Sequence, residues 1–139
     1  MPTQPDNVTY NKAAIIERSL RRVRQEHEHD PDLSDFTHID ALTLNLERAC
    51  QAAIDLALHV VALRHLGIPQ RSAESFSLLQ SAGLLTAETT RAMVAMTGFR
   101  NIAVHEYQEL DIGVLRRIAE HDWRHLVTFC HELGVRIEP

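Results

Sequence analysis

The sequence predicts an all-α fold, a single domain built as a five-helix bundle with short loops. Three observations predict it. Apolar residues recur at three- and four-residue spacing over long stretches, most clearly between residues 35 and 65. No stretch alternates apolar and polar residues in the way a half-buried strand does. Glycine and proline are scarce, five of each, and act as punctuation. At 139 residues, 45% of them apolar, the chain is long enough to bury one core without disulfides or metal staples.

The first helix is expected from about Val8 to Gln25, with Val8, Ile15, Ile16, Leu20 and Val23 on one side and Arg18, Arg21, Arg22 and Arg24 on the other. It should dissolve in the charged run before Pro31, which cannot continue a helix. The second and longest helix is expected from about Asp35 to His65. Its apolar stripe is Ile39, Leu42, Leu46, Ala49, Ala53, Leu56, Val60 and Leu63, and Gly67-Ile68-Pro69 stops it. A short third helix covers Ala73 to Gln80, ended by Gly83. Thr86 has the character of an N-cap for a fourth helix that runs through Met93, Met96 and Phe99 into Val104. Asp111 opens the fifth, where Leu115, Ile118, Asp122, His125, Phe129 and Leu133 share one stripe. Residues 1–6 and 134–139 read as flexible ends.

The formal net charge of -5 argues against broad, sequence-blind adhesion to nucleic acid but leaves room for a local basic pocket. The basic residues are 13 arginines and one lysine, Lys12, and the arginine fork suits phosphate or carboxylate. Such a bias also follows from a genome rich in G and C. No apolar run approaches the about 20 residues that span a bilayer, and the polar N-terminus lacks a secretory pattern. A cytoplasmic protein with no membrane partner is expected. Cys50 and Cys130 are far apart, without a CxxC pair, and read as buried reduced thiols.

One segment, residues 98–107, breaks the ordinary amphipathic pattern. Within eight residues it offers Arg100, which can hold a phosphate bidentately, His105, which can exchange protons near neutral pH, and the hydroxyl of Tyr107. On a regular helix a five-residue step turns about 140°, so Arg100 and His105 would not share a face. They converge only if the helix ends near Val104 or if a second copy of the chain supplies part of the site. The plainer reading has His105 capping carbonyls, Tyr107 packed and Arg100 solvated.

Arginine, four residues, histidine, one residue, tyrosine is also the signature of the HepT branch of the HEPN superfamily of prokaryotic RNases, which this sequence resembles. The resemblance extends over most of residues 42–129. Residues 51–59 look like that family's long second helix, 75–85 like its third helix and turn, and 96–101 like the approach to the motif. It implies a HEPN-type bundle, a homodimer with two motif copies facing one cleft, and metal-independent RNA cleavage in which the ribose 2′-hydroxyl attacks. No cofactor and no DNA partner are implied. RNA carries its own nucleophile, so the protein has to move protons and stabilise charge. On this resemblance His105 transfers protons, Arg100 holds the phosphate and Asn101 orients either group. The resemblance further implies a small nucleotidyltransferase antitoxin that inactivates the toxin by adenylylating Tyr107. The alternative from another class is a non-catalytic helical module that binds nucleotide or docks a nucleotidyltransferase.

Other signals carry less. His121 and His125, one turn apart, superficially resemble a zinc-protease helix, but Asp122 stands where that motif needs glutamate and no third ligand follows. No metal is expected there, and the two histidines read as packing or interface residues. Asp55 and His59 share a face of the second helix, as a hydrogen-bonded pair in the core or dimer seam, or as support behind the catalytic cleft. The arginines between Arg18 and Arg24 could steer RNA or simply form a solvated face paired with Glu17 and Glu26.

Overall fold

The computed structural model describes residues 4–105 and 111–139, without the side chains of Val104 and His105. Among the described residues all regular structure is helical: α1 (Asn7–His29), α2 (Phe36–Leu63), α3 (Ser72–Ser81), α4 (Ala87–His105), then α5 (Ile112–Arg117), a π-helical turn (Ile118–Asp122) and α6 (Trp123–Glu132). The last three join end to end with helical backbone angles throughout and form one rod, the fifth helix of the bundle. None of these helices is long and apolar enough to cross a membrane.

Capping chemistry sets the helix starts. Asp6 accepts from the Thr9 amide at 2.9 Å to open α1, and Asp35 accepts from Thr37 to open α2. The expected caps at Thr86 and Asp111 are present, accepting from Thr89 N at 3.2 Å and Gly113 N at 2.7 Å. Helix α1 runs four residues beyond the expected Gln25. There Glu26 binds Arg22 one turn earlier at 2.7 Å and His38 of α2, and His29 Nδ1 meets the Gln25 carbonyl at 2.7 Å. These contacts hold as helix a charged run that has no apolar stripe.

Helices α1 and α2 lie antiparallel: Asp6 faces His59, Lys12 faces Asp55, and Glu26 faces His38. Helix α2 is the spine. Its second half joins α1, α3 and α6 in one apolar cluster around Leu56, Phe76, Leu79, Leu126 and Phe129. Its first half joins α4 and α5 in another around Leu42, Leu46, Met96, Phe99 and Leu115. Phe76 and Phe129 meet edge to face with centroids 5.6 Å apart, an arrangement that adds about 1 kcal/mol to their burial. Both cysteines are free and buried, and burial pushes each thiol up to about 12.

The structure differs from the sequence reading in three places. Residues 134–139 read as a flexible end from their sequence. Instead Val135 and Ile137 are buried against the core, the Glu138 amide donates to Glu17 at 2.7 Å, and Arg24 donates to the Pro139 carbonyl. At the other end, Asp6 falls in the terminus expected to be flexible but is fixed between Thr9 and His59. The π turn is the third departure. Its extra residue rotates α6 by about 100° relative to an unbroken α-helix, so Asp122 and His125 sit half-buried at the edge of the stripe.

Candidate active site

Helix α4 carries the chemistry-bearing residues because its other side is nailed to the core by Met93, Met96, Phe99 and Ala103. That anchoring leaves Val94, Gly98, Asn101 and Ile102 exposed, with Arg100 between the two sides. Arg100 reaches back towards α2. Its positive charge acts on the buried Cys50 thiol, opposing the larger upward push of burial. Its Nε is shut away from solvent without a hydrogen-bond partner, while Nη1 donates to Asn101 Oδ1 at 3.3 Å. No carboxylate pairs with Arg100 among the described residues. A guanidinium anchored along its stem, with its fork held by one neutral amide, retains charge and donors for an incoming anion.

A cavity of about 590 Å³ opens beside this helix, lined by Asn101, Gly98, Thr97 and Val94 of α4 and by Arg71, Ser72 and Ala73 at the start of α3. Nothing lies within 4 Å of where a Gly98 Cβ would stand, so the helix surface here is open to a ligand. Arg71 is exposed and engages only Glu74, at 3.8 Å, among the described residues. The sequence reading missed Arg71 and any role for Gly98. For the glycine a signal was present: a glycine inside a helix costs about 1 kcal/mol relative to alanine, and its place in α4 marks a position where a side chain is unwelcome.

His105 is the last described residue of α4, and its side chain, together with Tyr107, Glu106 and Glu109, lies outside the described residues. Asp111 caps α5. The structure therefore brings Arg100 and Asn101 together. It does not bring Asp55 and His59 to them, nor pair these two with each other. Asp55 binds Gln51 Nε2 at 2.9 Å and Lys12 Nζ at 3.4 Å, and His59 Nε2 binds Asp6 at 2.7 Å. Both residues tie α2 to α1 or to its N-cap. His121 is exposed and His125 faces Asp122 at 3.9 Å. Among the described residues no three His, Cys, Asp or Glu side chains gather in a way that could hold a metal ion.

The same fold occurs in known proteins. Residues 14–133 match the family described as Ribonuclease HepT-like. An mRNA nuclease HepT from Shewanella oneidensis is 39% identical over 125 residues, covering 89% of this chain and 92% of that protein. A tRNA nuclease HepT from Aphanizomenon flos-aquae is 28% identical over 113 residues, 75% of this chain and 77% of that one. Among solved structures, a tri-AMPylated Shewanella oneidensis HEPN toxin in complex with MNT antitoxin superposes with a TM-score of 0.86 at 37% identity, covering 92% of this chain and 97% of that one. A toxin–antitoxin complex with AMP-PNP gives 0.86 at 36% identity, with 91% and 97% covered. Matched over residues 14–133 by the family and over 89% of its length by a relative 39% identical, this chain belongs to the ribonuclease HepT-like family.

Proposed function

We propose that the chain is the toxin of a toxin–antitoxin pair, an endoribonuclease that acts in the cytoplasm on RNA without a metal ion. The observation that carries this reading is Arg100, fixed along its stem, paired with no carboxylate among the described residues, and hydrogen-bonded to Asn101, which lines an open cavity. In the reaction the 2′-hydroxyl loses its proton to a His105 imidazole and attacks the adjacent phosphorus. The bond to the 5′ oxygen breaks, and that oxygen takes a proton from a second imidazole, present as imidazolium. The products are a 2′,3′-cyclic phosphate and a 5′-hydroxyl. Arg100 carries the charge that builds on the phosphoryl oxygens, and Asn101 orients the guanidinium. Nucleotides flanking the cut lie in the cavity between Arg71 and Asn101.

The working form is a homodimer, as the family resemblance implies, and its second copy supplies the second imidazole. Exposed Val94 and Ile102 on the motif-bearing helix, and Val114 on α5, supply apolar surface for it. The partner is a nucleotidyltransferase antitoxin that places adenylate on Tyr107, where added bulk and negative charge compete with RNA for Arg100. The test is cleavage of a defined RNA in excess EDTA, after intact mass has established that Tyr107 is unmodified. Wild type should leave 2′,3′-cyclic ends and His105→Ala should not cut. Unmodified wild type that leaves several RNAs intact, or His105→Ala that cuts as well as wild type, overturns the reading.

A further inference from the structure

The chain has a single tryptophan, and it stands directly after the π-helical turn. The extra residue of that turn swings Trp123 towards the second half of α1, where the Arg24 guanidinium lies 4.6 Å from the ring centroid. The Arg124 guanidinium lies 4.8 Å from the same ring. Each arginine also spends one donor on a carbonyl: Arg124 Nη1 on Glu120 O at 3.0 Å, Arg24 Nη1 on Pro139 O at 2.5 Å. Neither pairs with an aspartate or glutamate among the described residues. Two guanidiniums are thus held by one aromatic ring with most of their donors free.

They border a cavity of about 650 Å³ that Arg21 and His27 also line. Three glutamates line it as well: Glu28, Glu120 at 3.7 Å from His27, and Glu138 at 3.3 Å from Arg136. Arg21 is itself only 4.0 Å from Glu17. Two guanidiniums fixed on one ring with donors to spare can take the oxygens of an anion. The cavity is larger than a phosphate ion needs. The guanidinium planes on the indole add surface on which a base can stack.

We propose that the cleft between the second half of α1 and the start of α6 is a second RNA-binding site, where Arg24 and Arg124 take backbone phosphates of a single strand. It rests on the ribonuclease reading for the identity of the polymer, not for the anion chemistry. It holds substrate away from the motif on α4, and so raises affinity without entering the bond-breaking step.

Trp123 is its own reporter. The intact protein is titrated with a short single-stranded 2′-O-methyl RNA, which lacks the attacking hydroxyl, while tryptophan emission is followed at several salt concentrations. The expected result is a saturable change. Arg24→Gln and Arg124→Gln should each weaken binding about fivefold and flatten the salt slope by about 0.7. Arg124→Lys keeps the charge and should fall between wild type and Arg124→Gln, which separates lost phosphate contact from misfolding. Arg100→Ala should keep the emission change. The proposal is overturned if emission does not change or if Arg124→Gln binds as wild type does. It is equally overturned if inorganic phosphate or a polyglutamate peptide produces the same change as tightly. A saturable signal from a protein that cuts no RNA would keep this site and remove the activity; cleavage without the signal would do the reverse.

Discussion

Arg100 donates from Nη1 to Asn101 Oδ1 at 3.3 Å, and this neighbour on the same helix is the only hydrogen-bond partner of its head among the described residues. The fold therefore asks little of the guanidinium, whereas phosphate chemistry asks much. Arg100→Ala is expected to lower the rate of RNA cleavage by about 10²- to 10³-fold, the scale of losing one charge-stabilising donor. The melting temperature should hardly move. Arg100→Ala that cleaves as fast as wild type would remove this residue from the mechanism.

Gly98 separates stability from access. Alanine there meets no atom within 4 Å and should stabilise α4 by about 1 kcal/mol. Gly98→Leu should fold equally well but project into the cavity shared with Arg71 and Asn101. Thermal melts and cleavage kinetics on one RNA check both, with kcat/KM expected to fall only for leucine. Unchanged kcat/KM in Gly98→Leu would place the RNA elsewhere.

The contact between His38 Nδ1 and Glu26 Oε2 at 2.5 Å gives α1 and α2 a pH-dependent clasp. The Glu26 carboxyl lies below its ordinary 4.5, mainly through the hydrogen bond from His38, and His38 lies above its ordinary 6.5 through the same bond. A lowered carboxyl stabilises above its unfolded value and loses that contribution as pH falls. A raised imidazole stabilises below 6.5 and loses its contribution as pH rises past the folded value. The clasp is strongest between these two ordinary values. His38→Ala should reduce the fall in melting temperature below and above that window, and a profile identical to wild type would show that the clasp does not hold in solution.

The docked tail has a measurable worth. Val135 and Ile137 are buried, and losing two such side chains from the core should cost about 3 kcal/mol. Val135→Ser with Ile137→Ser should shift the urea midpoint downward accordingly. A shift below about 0.5 kcal/mol, the scale of an ordinary surface change, would mean the segment detaches in solution.

The bundle is legible in the sequence because its information is periodic. The stripe on α2 from Ile39 to Val60 is buried as its spacing demands, and only Leu63 at the helix end is exposed. The features that escape a sequence reading have no periodic signature. Asp55 and His59 share a face, but only the antiparallel packing of α1 shows that each faces a different partner, Lys12 and Asp6. The π turn inserts a residue that no spacing rule anticipates, and it moves Asp122 and His125 off the stripe. The last residues look polar overall, yet Val135 and Ile137, two apart, are enough to seat them. Arg100 and Asn101 can be picked from the motif. Arg71 cannot, because nothing in the chain marks α3 as facing α4 across an open cavity.

Helix α2 serves as the common wall of both apolar clusters, Ile39 to Cys50 lining one and Ala49 to Val61 the other. A domain whose halves share one beam cannot melt piecemeal, because loosening either end strips the partner's packing too. Amide exchange should accordingly be slowest through the middle of α2 and close to the rate of global opening. Sub-global openings would then be confined to helix ends and to the helices that join only one of the two clusters, α3 among them. The cavity between Arg71 and Asn101, walled on one side by α3, would thus sit on a mobile rim of an otherwise all-or-none structure.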